Sequence, residues 1–417
     1  MYDLNKEIFK FYFNLIIGSL LDKIDCYNYE KNNNTKKNKF SETKPSSNTN
    51  TYSPKFFLIK TFLILRTSKL YNKIYSNRIS IRVLNFFRKS IVIFAYFQIL
   101  KEIKKKNVLI VFDCSISPPS FGDFFYVVMF ARFFQILGKN VNFVIISGQY
   151  RSNWPRFKSK KEILNHIKFM KKIIKLYLNS NKLNVKEVDW NQFSKKYISN
   201  KNDFLIPFKN RVLARNRIYF HTHNFLYFSY KYNKEIFSRL LLSKKNYSKI
   251  KIKKINEPYI CFHSSRPEKK SSSKDIHYKE FVLIIKKLKE IYKNYKIVVV
   301  SEKSGCRNFK KISKKNKLDC MFSKDICSDL ISDLKLIMYS KAYYQYKGGG
   351  IGNPILYSDH PSTAMWYEQN KKEYLANEIL PQKNFVKGYP WLNKNQFAPI
   401  IVGVDKFVKF IEDNPII

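Results

Sequence analysis

The chain has 417 residues, of which 45% are hydrophobic, and a formal net charge of +47 from 78 Lys and Arg against 31 Asp and Glu. This length suits two ordinary domains and an extension, and the hydrophobic content excludes a chain that is disordered throughout. So large a charge is typical of proteins that bind nucleic acid or an anionic membrane. Lys, Asn, Ile, Phe and Tyr are all abundant, however, and all have A/T-rich codons, so genomic base composition explains much of the charge. The remaining basicity favours anionic ligands such as nucleotide diphosphates and phospholipid head groups.

The cysteines and the N-terminus indicate where the protein works. Six cysteines are scattered without a Cys-x-x-Cys pair, which is typical of reduced thiols in a cytoplasmic protein. The start of the chain has neither the basic residues nor the cleavage site of a signal peptide. No apolar run near it approaches the roughly 20 residues needed to span a bilayer. We therefore expect a cytoplasmic protein, either soluble or peripheral on the inner face of the membrane.

Three segments precede the first predicted domain. Residues 1–27 read as an amphipathic helix, and 28–53, rich in Asn, Lys, Ser and Thr, as a low-complexity linker. Residues 54–106 alternate apolar clusters with Lys and Arg and are predicted to be basic amphipathic helices. Such helices either pack on the next domain, the interpretation we favour, or lie on a membrane surface.

The segment Asn107–Ile146 predicts a βαβ unit. An apolar run that ends at Asp113 is followed by a turn with two prolines and a glycine, a long apolar stretch from Phe124 to Leu137, and a β-branched run from Asn140. Parallel strands joined by a helix place ligands at the carboxyl ends of the strands. The loop Ser115–Asp123, with its one acid, is therefore a candidate for chemistry.

The rest of the first half continues the same pattern. Ser159–Ser180 is predicted to be a helix and Leu183–Val188 a strand, while the polar loop Tyr150–Arg156 is a candidate for substrate contact. His221 and His223 form a His-x-His pair that is able to bind a metal. Because no third ligand is near in sequence, we favour histidines of the core or of a substrate pocket.

A second βα series follows a lysine-rich connector at Lys244–Asn256, so the predicted fold class is α/β with two domains in series. The predicted strands are Pro258–His263, Tyr295–Val300, Leu318–Phe322 and Ala342–Tyr346, and the predicted helices are Tyr278–Lys293, Asp329–Tyr339 and Asp405–Asp413.

Three loops of this second series follow strands, and we expect them to converge on one edge of the sheet. Hydroxyls and cations of the first suit a diphosphate, and the carboxylate of Glu302, after Ser301, suits the hydroxyls of a ribose. The glycines of the third let backbone N–H groups approach an anion, although a glycine run is also common in a plain turn. No Walker P-loop or dinucleotide fingerprint occurs. The first loop holds Ser264, Ser265, Arg266, Lys269, Lys270 and Lys274, and the third holds Gly348, Gly349 and Gly350.

These motifs, in this order, resemble the heptosyltransferase-like group, glycosyltransferase family 9. The resemblance runs from Ser120-Phe121-Gly122-Asp123, after the first strand, through Ser264-Ser265 to Lys274 before Tyr278, and then to Glu302. It implies the GT-B architecture, in which two Rossmann-like domains face each other across a cleft. Residues 107–250 would form the acceptor domain and 251–417 the nucleotide-sugar donor domain.

The resemblance also implies roles for individual residues. Asp123 would be the general base toward the acceptor hydroxyl, and Glu302 would hold the ribose of the donor. An N-cap role at the start of the helix explains Asp123 equally well without catalysis. The diphosphate contacts would be Ser264, Ser265 and Lys274, with Arg266 and the glycines 348 to 350 adding positive charge and N–H dipoles.

One departure from the family concerns the donor site. Where family 9 has Asp-Ser/Thr-Gly followed by a His, this chain has Lys347-Gly348-Gly349-Gly350, and its one nearby His is His360. His263 with Arg266 resembles instead the His-x-Arg of fucosyltransferases that use a GDP sugar, with one residue more between them. The identity of the donor therefore stays open.

The sequence thus predicts a glycosyltransferase that moves a hexosyl, heptosyl or fucosyl group from a nucleotide-sugar to a glycan or lipid-linked acceptor in cell-surface polysaccharide synthesis. The nucleotide-sugar is a substrate, so no cofactor is expected. No Asp-x-Asp motif lies at a strand end, which predicts transfer without a metal. The alternatives are a basic nucleic-acid-binding protein, which is less favoured, and a non-catalytic α/β protein.

Overall fold

The computed structural model describes residues 78–114, 120–147, 160–213, 218–232, 234–265, 267–268, 276–364, 391, 396–397 and 403–416. The predicted N-terminal helix, the low-complexity linker, most of the loop Ser115–Asp123 and the loop Tyr150–Arg156 lie outside these residues, as do Arg266, Lys269, Lys270 and Lys274.

The chain forms two compact units, and the division falls between Arg239 and Leu240. This position is slightly ahead of the lysine-rich connector. Each unit contains a parallel sheet with helices, so the fold class is α/β with two parallel sheets. Two such units are consistent with two Rossmann-like domains.

The sheet of the first unit has the order β1-β2-β3, with all strands parallel. β1 is Asn107–Asp113, β2 is Asn140–Ile146 and β3 is Leu183–Val188, which confirms the predicted strands. Asn107 pairs with Asn140 at one end of the β1–β2 ladder and Asp113 with Ile146 at the other. On its other side, β1 forms a bridge from Val108 to Leu205.

The crossover helix α2 spans Phe121–Ile136 and begins three residues before the predicted start. Gly122 lies in the first turn of this helix. Phe124, Phe130 and Phe134 of α2 are fully buried or nearly so, and Phe124 packs edge-to-face on Phe112 of β1 with ring centroids 5.0 Å apart. Such edge-to-face pairs fix the helix on the sheet.

The region before β1 contains the helix α1, Arg78–Glu102, which packs on the first unit. Ile91, Ala95 and Ile99 are buried, and the Gln98 Nε2 donates to the carbonyl of Ile206 over 3.0 Å. The side of α1 that carries Ile91, Ala95 and Ile99 therefore packs on the protein, as we favoured, rather than on a membrane surface. Among the described residues, no helix is both long and apolar enough to cross a membrane.

The remaining elements of the first unit are mostly short helices. They are α3 Lys160–Tyr177, α4 Trp190–Phe193, α5 Lys209–Leu213, α6 Tyr219–Tyr232 and α7 Lys234–Leu240, with 3-10 turns at Ser180–Lys182 and Lys201–Asp203 and a π turn at Ser194–Ile198.

Within the described residues, the sheet of the second unit has the parallel order β11-β10-β9-β4-β7-β8. β4, Tyr259–His263, lies between β7, Lys296–Val300, and β9, Tyr343–Gln345. The other strands are β8 Met321–Phe322, β10 Ser362–Ala364 and β11 Gln396–Phe397, and a separate two-stranded pair joins β5 Pro267–Glu268 to β6 Ile276–His277.

Helices cover this second sheet. They are α8 Tyr278–Ile291, α9 Lys303–Lys315, α10 Ser323–Ile326, α11 Leu330–Tyr339, α12 Asn353–Leu356 and α13 Val404–Asp413, with 3-10 turns at Lys244–Tyr247 and Gly350–Gly352. The predicted helices of the second series did not include α9, so its presence between β7 and β8 is a correction. Cys306 and Phe309 are the only apolar residues of α9 that are buried, and many of its other residues are exposed lysines. Few apolar residues therefore mark this helix in the sequence.

Candidate functional site

The three loops predicted to converge do lie side by side in the second unit. They follow β4, β7 and β9, which are neighbours in the sheet. The Ser264 Oγ, after β4, donates to the carbonyl of Lys347, after β9, over 2.8 Å. The Ser301 Oγ, after β7, donates to the carbonyl of Ser265 over 2.6 Å. Hydrogen bonds therefore join the first loop to both of its neighbours.

Lys347 connects the glycine loop to the rest of the unit. Its φ is +47°, in the left-handed region, and its side chain is 2% exposed. The Lys347 Nζ lies 3.0 Å from both carboxylate oxygens of Glu280, and the hydroxyl of Tyr346 donates to the same carboxylate over 3.1 Å. The ammonium of Lys347 therefore has a fixed carboxylate partner within the protein.

The glycines after Lys347 differ in whether packing explains the absence of a side chain. A Cβ on Gly348 would lie 2.8 Å from the Nε2 and the Cδ2 of His263, and one on Gly352 would lie 2.5 Å from the Gln345 Oε1. Real Cβ atoms essentially never come so close, so Gly348 is needed for packing against the His263 ring, whereas at Gly352 the end of the flexible Gln345 side chain would have to move. Gly349 is exposed, and a Cβ there would meet nothing within 4 Å. Packing does not explain Gly349, which leaves it open to a ligand.

This difference predicts the stability of two alanine variants. We expect Gly348→Ala to lower the free energy of unfolding by about 1–3 kcal/mol, because the methyl group overpacks against the His263 ring. Gly349→Ala should change it by less than about 0.5 kcal/mol, because its surroundings are open and its φ of −85° suits alanine. Urea unfolding of the two variants and the parent protein checks this. Equal losses at both positions would contradict it.

His263, the last residue of β4, is buried beside this loop. Its Nδ1 lies 2.8 Å from the carbonyl of Val300, and its Nε2 has no hydrogen-bond partner among the described residues. Burial lowers the pKa of His263 to about 4, against a smaller opposite effect of the hydrogen bond to Val300. His263 is therefore neutral near pH 7.

Glu302 lies at the start of α9, where it is the N-cap residue, and its side chain is exposed. The Ser304 Oγ donates to its carboxylate over 2.8 Å. Gly305, three residues further on, allows the close approach of the first loop, because a Cβ there would lie 3.1 Å from the carbonyl oxygen of Ser265, as well as 2.2 Å from the Ser301 Oγ. A carboxylate held at a strand end and open to solvent is able to accept hydrogen bonds from hydroxyls.

The two predicted serines differ in what they offer a ligand. Ser264 is fully buried, and its hydroxyl is used to hold Lys347. Ser265 is partly exposed, and its N–H donates to the carbonyl of Lys347 over 3.3 Å. The structure thus brings Ser264, Ser265, Glu302 and the three glycines together. Arg266 and Lys274 lie outside the described residues.

Asp123 belongs to the first unit, in the first turn of α2. It is the third residue of the helix, and the N-cap is Ser120, so the predicted N-cap role for Asp123 is wrong. The Ser120 Oγ donates to the Asp123 Oδ2 over 2.6 Å. An acid in this turn interacts favourably with the helix dipole. Asp123 is partly buried.

His221 and His223 both lie on α6 and are buried. The ring of His221 lies 5.7 Å from that of Phe208, and the ring of His223 lies 4.3 Å from that of Tyr126, between centroids. Across the described parts of the chain, no three His, Cys, Asp or Glu side chains gather where a metal ion could bind. Both histidines are thus buried among aromatic rings, in agreement with the interpretation as histidines of the core or of a substrate pocket.

No protein-family model and no curated protein matches this sequence. Among solved structures, the E. coli heptosyltransferase WaaC with ADP is similar over 74% of this chain and 97% of its own, with 11% identity and a TM-score of 0.38. E. coli ADP-heptose LPS heptosyltransferase II is similar over 74% and 98%, with 10% identity and a TM-score of 0.36. For the glycosyl transferase family 9 from Veillonella parvula DSM 2008 the shares are 76% and 91%, with 9% identity and a TM-score of 0.34. The chain thus has a low-identity structural similarity to heptosyltransferases and to a family 9 glycosyltransferase.

Proposed function

We propose that the protein is a glycosyltransferase that takes a sugar from a nucleotide-sugar and transfers it to a glycan or lipid-linked acceptor in cell-surface polysaccharide synthesis. The observation that supports this most is the hydrogen-bonded junction of three loops at the carboxyl ends of β4, β7 and β9. It combines an exposed carboxylate at Glu302 with an open glycine at Gly349. Carboxyl ends of neighbouring parallel strands are the usual place for nucleotides in α/β sheets.

The donor would bind this junction through two kinds of group. Glu302 accepts hydrogen bonds from the ribose hydroxyls, and the backbone N–H groups near Gly349 and Gly350 face the diphosphate. Ser265 is the better placed of the two serines to touch the ligand, because Ser264 is buried. Ser264 acts indirectly by holding Lys347. Arg266 and Lys274 would add the positive charge that a departing nucleoside diphosphate requires.

The acceptor side of the reaction needs a base for the hydroxyl proton. We assign this role to Asp123, whose carboxylate is partly exposed and receives a hydrogen bond from Ser120. The hydroxyl oxygen forms the new bond to the anomeric carbon of the sugar while the bond from that carbon to the diphosphate breaks. The proton goes to Asp123, and the electron pair leaves with the nucleoside diphosphate. No metal is required in this scheme.

A thermal-shift screen with UDP, GDP, ADP and CMP sugars tests the proposal. A ligand at 100 times its dissociation constant adds about 2.7 kcal/mol to the free energy of unfolding, which is a shift of several degrees. Inorganic phosphate at equal ionic strength is the control for general anion binding to a chain of net charge +47. Glu302→Gln should weaken binding of the stabilising nucleotide about tenfold, because an amide is a weaker acceptor for the ribose. If no nucleotide stabilises the protein beyond the phosphate control, the proposal is wrong.

A further inference from the structure

His263 has a buried acceptor atom that faces the glycine loop. The residue is 7% exposed, and its Nε2 has no hydrogen-bond partner among the described residues. The same atom lies 2.8 Å from the position that a Cβ on Gly348 would occupy. A buried polar atom without a partner is rare in folded proteins, because it loses its hydrogen bond to water on folding.

The hydrogen bonds of His263 fix which ring nitrogen holds the proton. The carbonyl of Val300 is able only to accept, so the Nδ1, 2.8 Å from it, must donate. In the neutral ring the Nε2 therefore holds a lone pair that points to the glycine loop. A lone pair beside a bound anion is repelled, whereas a proton on the same atom makes a charge-assisted hydrogen bond.

We propose that His263 takes up a proton at Nε2 when a phosphate group binds at the glycine loop, and that the imidazolium then contacts this phosphate. The inference rests on the proposed function and adds a proton-linked residue to its diphosphate site. The proton comes from the solvent, and no covalent bond of the ligand is made or broken. The hydrogen bond to Val300 is retained, because both ring nitrogens of an imidazolium donate.

We expect the proton on His263 to be the main source of the pH dependence of phosphate binding. At the ends of the strands beside His263 the described charged groups include Lys347 with Glu280, which are paired, and Glu302 and Lys303, which are exposed. The lowering of the pKa of free His263 to about 4 is due to burial. A bound phosphate raises this pKa, so the complex holds one more proton than the free protein. Affinity therefore rises as the pH falls toward about 4, and it levels off above the pKa of the complex.

His360 provides a matched control. It is also buried, its Nδ1 has no partner among the described residues, and burial lowers its pKa to about 4. Its Nε2 donates to the carbonyl of Ser340 over 3.0 Å, away from the glycine loop. His263→Gln and His360→Gln therefore remove the same kind of group from two different places.

The experiment measures binding of UDP, GDP and ADP between pH 5 and 8 by calorimetry for the full chain and both variants. Titration of the nucleotide itself is common to all three proteins and cancels in their ratio. We expect the ratio of wild-type to His263→Gln affinity to rise, by up to about tenfold per pH unit, as the pH is lowered. The ratio of wild-type to His360→Gln affinity should stay constant. Equal pH profiles for all three proteins would overturn the inference and leave the proposed function intact.

A second measurement uses the unaltered protein, so it does not depend on the folding of a variant. ¹⁵N chemical shifts of the histidine side chains at pH 6.5 report protonation of each ring with and without saturating nucleotide. We expect a neutral His263 in the free protein and a doubly protonated one in the complex. A ring that stays neutral in the complex overturns the inference. Absence of any nucleotide binding to the wild-type protein overturns the proposed function as well.

Discussion

Replacement of Glu280 by Gln should lower the free energy of unfolding by about 3–5 kcal/mol, the usual effect of removing one partner from a buried ion pair. Glu280 supplies the carboxylate for Lys347, which is 2% exposed at its side chain. An amide retains hydrogen bonds but leaves the ammonium of Lys347 without a compensating charge, and water reaches the pair only from the side of Glu280, whose side chain is 17% exposed. Urea unfolding at pH 7 measures this decrease in the free energy of unfolding.

A surface pair in the same unit is the control for this prediction. Lys310 and Asp325 lie 2.5 Å apart, but their side chains are 45% and 52% exposed. Asp325→Asn should change stability by less than about 1 kcal/mol, because water screens the charges. Similar losses for Glu280→Gln and Asp325→Asn would show that the Lys347 pair is not a special feature of the glycine loop.

Replacement of Asp123 by Asn should reduce kcat by about 10²–10⁴-fold, the contribution of a general base, with little change in KM for the donor. The variant should stay folded, because an amide oxygen also accepts the hydrogen bond from Ser120. Loss of the favourable interaction with the helix dipole is expected to cost about 0.3–1 kcal/mol. The measurement is steady-state transfer from the nucleotide-sugar that stabilises the protein most.

Ser120→Ala separates catalysis from the structural role of Asp123. It removes the 2.6 Å hydrogen bond to Asp123 but leaves the carboxylate in place. We expect it to lower stability by about 1 kcal/mol while kcat stays within about tenfold of the parent value. If Ser120→Ala and Asp123→Asn lower kcat equally, the hydrogen bond rather than the base is what activity requires. Unchanged activity in both variants would leave Asp123 as a structural residue alone.

The strands and long helices could be predicted from the sequence because their signals are local. The bounds of β2, Asn140–Ile146, and β3, Leu183–Val188, agree with the prediction. β2 is a mostly buried apolar run, as expected for a parallel strand, whereas no residue of β3 is buried. Helix α9, Lys303–Lys315, was not predicted because only two of its buried residues, Cys306 and Phe309, are apolar and most of its other residues are polar or lysine. The N-cap at Ser120 was also missed, although Ser-x-x-Asp before an apolar run is a sequence signature of a helix N-terminus.

The sequence allowed us to predict which loops form the candidate site, but not which residues of these loops contact each other. Parallel strands place successive loops on one edge, which is enough to bring Ser265, Glu302 and Gly349 into one region. The sequence offered Ser264 and Ser265 as equals, yet burial assigns them different roles. It also gave no sign that Lys347 and Glu280 form a pair, because they are 67 residues apart in the chain.

The α/β class, the two parallel series and the sheet edge of the candidate site could all be predicted from the chain alone. These features follow from the spacing of apolar residues and from the position of glycines after strands, both of which are local. Only the tertiary structure decided that Gly348 serves packing while Gly349 is open, and that the Nε2 of His263 faces the loop without a partner. Such facts depend on distances of a few ångströms between atoms of different strands, and no pattern along the chain encodes them.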